Sequence, residues 1–280
     1  MNVIITGASQ GLGSSIAEKF LKEGADISIC GRDDQQLAER ISSLKQTYKS
    51  KIIGYSCDVS KEDQIKTFID KSIEELQTID VIVLNAGIYG PMGPIESVDF
   101  DAFKYALEVN LYGVVLPCKY IVPHFKQNNR GKIIMISGGG ATTPMPYITG
   151  YAASKAASIR FMESISLELK SFNIDVNAVA PGALATRLVD SVLNAGPELI
   201  GKEFYEKNLK WKNEGATSPE LGANLVWFLA SHQSDRITGK LISAQWDDWK
   251  NLPLHLNELN SSDIYCLRRI VPSDRNKNWN

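Results

Sequence analysis

Short apolar runs alternate with amphipathic stretches along most of the chain. "NVIIT" ends in glycines and gives way to "LGSSIAEKFLKEG", whose apolar positions recur at helical spacing. "DISIC", "KIIGYSC", "DVIVLN", "KIIMIS" and "DVNAVA" are further runs of strand length, most of them separated by amphipathic segments long enough for a helix. "GKLISA" follows the helical "PELGANLVWFLASH". Strands that alternate with helices need crossover connections. The pattern therefore predicts an α/β fold, a doubly wound parallel sheet of about seven strands with helices on both faces.

Composition narrows the classes without changing this picture. The chain has 280 residues, 44% of them hydrophobic and 22% charged, enough for one sizeable core. A formal net charge of -2 offers no general attraction for phosphate backbones, so nucleic acid is not an expected partner. Cys30, Cys57, Cys118 and Cys266 are scattered without CxxC spacing, which points to free thiols, no metal and a reducing, cytoplasmic setting. The amino terminus lacks the basic start and apolar run of a secretory signal. No segment has the roughly 18 consecutive apolar residues of a membrane span, and no membrane partner is expected.

The first candidate chemistry is "TGASQGLG", from Thr6 to Gly13, where the first strand hands over to the first helix. Gly7 permits a tight turn, Gly11 lets backbone approach a pyrophosphate, and Gly13 lets the helix pack close to the strand. Ser9, Gln10 and Leu12 complete a loop that aims helix amides at phosphates. A glycine-rich turn that binds nothing is the bland alternative. Its place between a strand and a helix favours a nucleotide.

Here the sequence resembles the single-domain short-chain dehydrogenase/reductase family, whose TGxxxGxG signature is met by Thr6, Gly7, Gly11 and Gly13. Further matches follow in order: Asp58 and Val59 in "CDVS", the "NAG" of Asn85, Ala86 and Gly87, Asn110, the YxxxK of Tyr151 and Lys155, and "PGALAT" with Pro181, Gly182 and Thr186. The resemblance spans about residues 2 to 243 and implies a Rossmann-type NAD(P)-binding catalytic domain over 1–244. Residues 245–280 form an extension whose tryptophans and leucines are too apolar for a free tail, so it is expected to pack on its own domain or on a neighbouring subunit. Arg268 and Arg269 in it form a solvated charge pair or meet an anionic substrate.

The resemblance assigns roles residue by residue. Asp58 would accept from the adenine amino group, or else cap a helix. Asn85 to Gly87 would let the backbone run beside the cofactor, and Thr186 would hold the nicotinamide carboxamide or the pyrophosphate. Tyr151 and Lys155 lie four apart in a helical segment and so share one face. An ammonium beside the phenol is expected to lower its pKa from about 10, letting Tyr151 exchange a proton with a carbonyl oxygen as hydride arrives. Asn110 would hold a water linking Lys155 to solvent. The usual catalytic serine place, 13 residues before Tyr151, falls on Gly138, with Ser137 one residue further back. Either a bulge in the glycine run swings Ser137 into the site, or Thr142, Thr143 or a water takes its part.

Gly31 and Arg32 after the second strand match the pattern that accommodates the 2′-phosphate of NADP, while Gln10 and Asp33 remove part of the positive charge; NADP is the expected cofactor, with NAD possible. Ile88 to Pro94, Met145 to Tyr147 and Leu188 to Trp211 are candidate substrate walls. The chain is thus expected to be an oxidoreductase acting on a small carbonyl or alcohol, assembled as a homodimer or homotetramer. The alternatives are a dinucleotide-binding sensor or scaffold that has lost catalysis, and a nucleotide-sugar epimerase or dehydratase.

Overall fold

The computed structural model describes residues 1–184 and 187–279. Strand and helix follow one another as β1 (Asn2–Thr6), α1 (Gly11–Lys22), β2 (Asp26–Gly31), α2 (Asp34–Thr47), β3 (Ile52–Ser56), α3 (Glu62–Leu76) and β4 (Val81–Leu84). Then α4 (Phe100–Leu107) passes through a widened, π-helical turn at Glu108–Tyr112 into α5 (Gly113–Gln127). β5 (Gly131–Ile136), α6 (Thr149–Leu169) and β6 (Ile174–Ala180) complete the middle of the chain. Beyond them lie α7 (Arg187–Ala195), α8 (Pro197–Ile200), α9 (Lys202–Glu214), α10 (Pro219–Ala230), β7 (Leu241–Ser243) and α11 (Leu256–Ser261).

Seven parallel strands form one sheet in the order β3-β2-β1-β4-β5-β6-β7. The strands are apolar on both faces because both faces are covered. Val3, Ile5, Ile27, Ile29, Val81 and Val83 meet α1, α2 and α10 on one side, while Ile4, Ile82, Leu84, Ile133 and Met135 meet α3, α5 and α6 on the other. A polar interruption is satisfied in place: buried Ser28 bonds Ser72 of α3 at 2.7 Å. The chain leaves β1 toward β2 and returns to β1's other side at β4. That reversal opens a crevice beyond the carboxyl ends of the strands, which is where a ligand finds room.

The extension folds back on this frame. Trp249, Leu252 and Leu259 join the core beneath α10, with the Trp249 ring centre 5.4 Å from that of Phe228. Tyr265 O accepts from Leu241 N of β7 at 2.9 Å. The buried Lys240 ammonium donates to Ser262 O (3.1 Å) and Ile264 O (2.8 Å). Arg160 and Glu163 of α6 grip the backbone of Leu267. Arg268 pairs with Asp263 (2.5 Å) and Asp274 (2.7 Å), so its charge meets carboxylates of the extension itself. Among the described residues no helix is long and apolar enough to cross a membrane.

Candidate active site

The loop after β1 is shaped by contacts that exclude side chains. Gly7 has φ +64°, and a Cβ there would lie 2.9 Å from Ala86 Cα. Gly11 has φ +55° and opens α1. A Cβ on Gly13 would lie 2.3 Å from Gly7 O and 2.4 Å from Asn85 Nδ2. Gln10 gives α1 no side-chain cap, and the first turn carries no acidic residue. The helix therefore presents unpaired amides and its positive dipole end to the crevice.

The crevice is a cleft of about 2450 Å³, well beyond the roughly 300–1,000 Å³ of a site for one small ligand. Ser9, Gln10, Gly11, Leu12 and Gly13 line one part, with Gly31, Arg32 and Val59 beside them. Asn85, Ala86 and Gly87 line the centre, and Pro181 and Gly182 the far wall. Two residues assigned by resemblance are placed differently. Thr6 is fully buried and does not face the cleft; its Oγ1 accepts from Asn85 N (3.0 Å) and Ala86 N (3.2 Å), stapling β1 to the end of β4. Asp58 also stands outside the lining: one carboxylate oxygen accepts from Ser60 N and Ser60 Oγ, and the other from Tyr105 Oη at 3.3 Å. Burial pushes the Asp58 carboxyl up, but the Ser60 bonds, the Arg32 charge and Tyr105 together hold it below the usual carboxylate range. Thr186 lies outside the described residues.

At the end of β2, a Cβ on Gly31 would lie 3.0 Å from Ser9 Oγ, so a side chain here would crowd the glycine loop. Arg32 stands at the cleft edge, its guanidinium 5.9 Å from the Tyr105 ring centre and donating to Tyr105 Oη. The Asp33 carboxylate caps α2 by accepting from Gln36 N at 2.9 Å. Gln36 itself lines the cleft and accepts from Ser9 Oγ at 3.1 Å, a contact that nothing in its sequence neighbourhood announces.

Tyr151 and Lys155 sit on α6 and face the same cleft, both buried. The Lys155 ammonium donates to Ile136 O at 2.9 Å and lies 5.8 Å from the Tyr151 ring centre. The expected lowering of the phenol is not what this arrangement produces. Burial, and at high pH repulsion from an ionised Tyr89, pushes Tyr151 well above 10, while burial pushes Lys155 down to about 8. Desolvation governs both groups. The expected water-holding amide is different too. Asn110, in the widened turn, accepts from Ile88 N (2.8 Å) and donates to Ile88 O (2.8 Å) and Ser154 Oγ (2.9 Å). Its side chain clamps the segment after β4 and keeps no donor free for water.

The glycine run resolves into distinct environments. Gly138 is extended (φ -165°, ψ 172°), and a Cβ on it would lie 2.1 Å from Tyr151 Oη, so the phenol fills the space of a side chain at 138. Ser137 also lines the cleft, yet its buried hydroxyl has no hydrogen-bond partner among the described residues. Thr142 and Thr143 stand further along the same wall. The candidate substrate walls Tyr89, Met145, Tyr147, Leu188, Phe204 and Trp211 line the same cleft, joined by Trp246 of the extension. Tyr89 packs edge-on against Tyr151, with ring centres 4.7 Å apart.

Comparison with known proteins bears on this site. The family model of short chain dehydrogenases matches residues 1–195. Glucose 1-dehydrogenase of Gluconobacter oxydans is 34% identical over 241 residues, 86% of this chain and 88% of that protein. The solved structure of ElxO with NADP bound superposes with a TM-score of 0.76 at 28% identity, covering 87% of this chain and 96% of that one. A 3-ketoacyl-(acyl-carrier-protein) reductase from Brucella melitensis, complexed with NADH, superposes with a TM-score of 0.75 at 26% identity over 86% of this chain and 95% of that one.

Proposed function

The chain belongs to the short chain dehydrogenase family, and on that premise we propose that it transfers hydride between NADP(H) and a small carbonyl or alcohol compound. One observation carries this reading: the Tyr151–Lys155 pair and the open amide end of α1 line a single cleft. The residues fit a dinucleotide. Gly7 and Gly13 let the β1–α1 turn pack tightly against the end of β4, which brings the uncapped amide end of α1 to the cleft, where an anion is favoured. When bound, the reduced nicotinamide supplies a hydride to the substrate carbon.

The chain's own part is proton handling and orientation. Tyr151 holds its proton at neutral pH because burial raises its pKa, and it passes that proton to the carbonyl oxygen as the oxygen gains charge. In the reverse direction the phenol must first give up its proton, and the phenolate then takes the proton from the alcohol. Lys155 brings positive charge beneath the site and is anchored to β5 through Ile136 O. Arg32, with Gly31 beside it, suits a 2′-phosphate, while Asp33, which also lines the cleft, has one carboxylate oxygen engaged by Gln36 N. A panel of ketones and alcohols assayed with both cofactors tests the reading. Tyr151→Phe is expected to lose at least about a hundredfold in turnover, and Arg32→Asp the preference for NADPH. Near-native turnover in Tyr151→Phe overturns the mechanism. The unpartnered Ser137 hydroxyl favours a second reading, a dinucleotide sensor, which predicts tight cofactor binding and no turnover on any substrate.

A further inference from the structure

We propose that the Tyr89 hydroxyl is a second catalytic hydrogen-bond donor to the substrate oxygen, serving where position 138 has no side chain. The inference rests on the carbonyl chemistry proposed above. A carbonyl oxygen that takes up charge is stabilised by two donors better than by one, and the second donor must be in place before the reaction. Gly138 cannot supply one. Ser137 is its neighbour on extended backbone, where successive side chains face opposite sides. The side-chain direction of 138 points at the Tyr151 phenol, so Ser137, although it lines the cleft, has its side chain directed away from that phenol.

Tyr89 stands against the phenol itself. Its ring stands edge-on to that of Tyr151 with centres 4.7 Å apart, and the two line the same cleft. The Tyr89 hydroxyl bonds to no group among the described residues, so it is available to a ligand. Its place is set from both sides of the chain. The backbone N–H and C=O of Ile88 are both held by Asn110, and Gly90 (φ +73°) packs so closely that a Cβ there would lie 2.5 Å from Ala106 Cβ. Burial pushes the Tyr89 phenol up to about 12, so it keeps its proton and can donate throughout the neutral range. No bond is made or broken at Tyr89: it donates, while Tyr151 transfers the proton.

The test compares the full-length protein with Tyr89→Phe, Ser137→Ala and Tyr151→Phe on the carbonyl compound it reduces fastest. Phenylalanine keeps the ring packing on Tyr151 and removes only the hydroxyl, so a purely structural role for Tyr89 predicts no change. The expected result is a roughly hundredfold or greater fall in kcat for Tyr89→Phe, with cofactor Kd and Tm as in the parent and a smaller fall for Ser137→Ala. Turnover of Tyr89→Phe within about twofold of the parent overturns the inference, as does a loss that appears in Ser137→Ala instead. Those outcomes leave Tyr151 intact as the proton donor. Near-native turnover in Tyr151→Phe overturns the underlying chemistry and Tyr89 with it.

Discussion

Two glycine-rich loops stand at the carboxyl ends of parallel strands, one after β1 and one after β5, and they need glycine for different reasons. In the first, Gly7 and Gly11 have positive φ, and Gly13 is pressed against backbone and the Asn85 amide. In the second, none of the three glycines has positive φ. Gly138 yields its space to a side chain from α6, Gly140 would bring a Cβ to 2.9 Å from Ala152 Cα, and Gly139 has nothing within 4 Å. The first loop is governed by its own backbone path, the second by what packs over it. A motif of the first kind is readable from spacing; one of the second kind is legible only once the partner is in place.

The largest effect that sharpens this contrast is expected from Gly13→Ala. Its Cβ would meet a carbonyl oxygen and an amide that are both held in place, so the strand–helix turn must move. Overpacking of this kind costs about 1–3 kcal/mol or more, and calorimetry should show both a lower Tm and weakened cofactor binding. An unchanged affinity would mean that the first loop is as yielding as the second.

Lys155→Met probes the charge beneath the second loop and should raise stability while ending turnover. Burial lowers the folded lysine from 10.5 to about 8, which corresponds to about 3 kcal/mol at neutral pH. Between pH 8 and 10.5 the unfolded chain binds more protons than the folded one, so stability of the parent rises with pH there. The advantage of the mutant is therefore full below pH 8 and closes as pH climbs toward 10.5. Denaturant melts of both proteins across that window check it; a constant difference would show that the ammonium is not desolvated.

Gly138→Ala displaces a phenol rather than a backbone. The Tyr151 hydroxyl must give way, and a misplacement of about 1 Å can cost roughly a hundredfold in rate. The expected result is a ten- to hundredfold loss of kcat with cofactor affinity kept, and parallel losses in both would break the contrast between the loops. Gly139→Ala is the smallest case. It has open space and no positive φ, so turnover should hold while stability stays level or rises by about 0.4–1 kcal/mol.

Much of the frame was legible because it repeats. All seven strands lie where the apolar runs stand, and the glycine spacing marks the β1–α1 turn. The pair Tyr151 and Lys155 needed only helical geometry to reach one face. What escaped depends on contacts between residues far apart in the chain. Thr6 is drawn inward by amides of Asn85 and Ala86, Asp58 is held by distant Tyr105 as well as by neighbouring Ser60, and Asn110 is engaged by Ile88. Tyr89 lies within the segment expected to wall the substrate. Its position just beyond "NAG" at a strand's carboxyl end was the available signal, but nothing local says that its ring meets Tyr151.

The extension gives the sheet something other than a wall for the cleft. A strand at the margin of a sheet carries unpaired donors that can recruit another chain into a growing ribbon. β7 is such a margin, only three residues long, and Tyr265 O occupies the Leu241 amide on its outer side. Trp249 and Leu252 meanwhile seal apolar surface beneath α10. A chain ending at Ala244 would present a bare amide edge beside an uncovered greasy patch. Its failing would then be colloidal before it was catalytic: light scattering that climbs with protein concentration, and a soluble remainder that still binds dinucleotide.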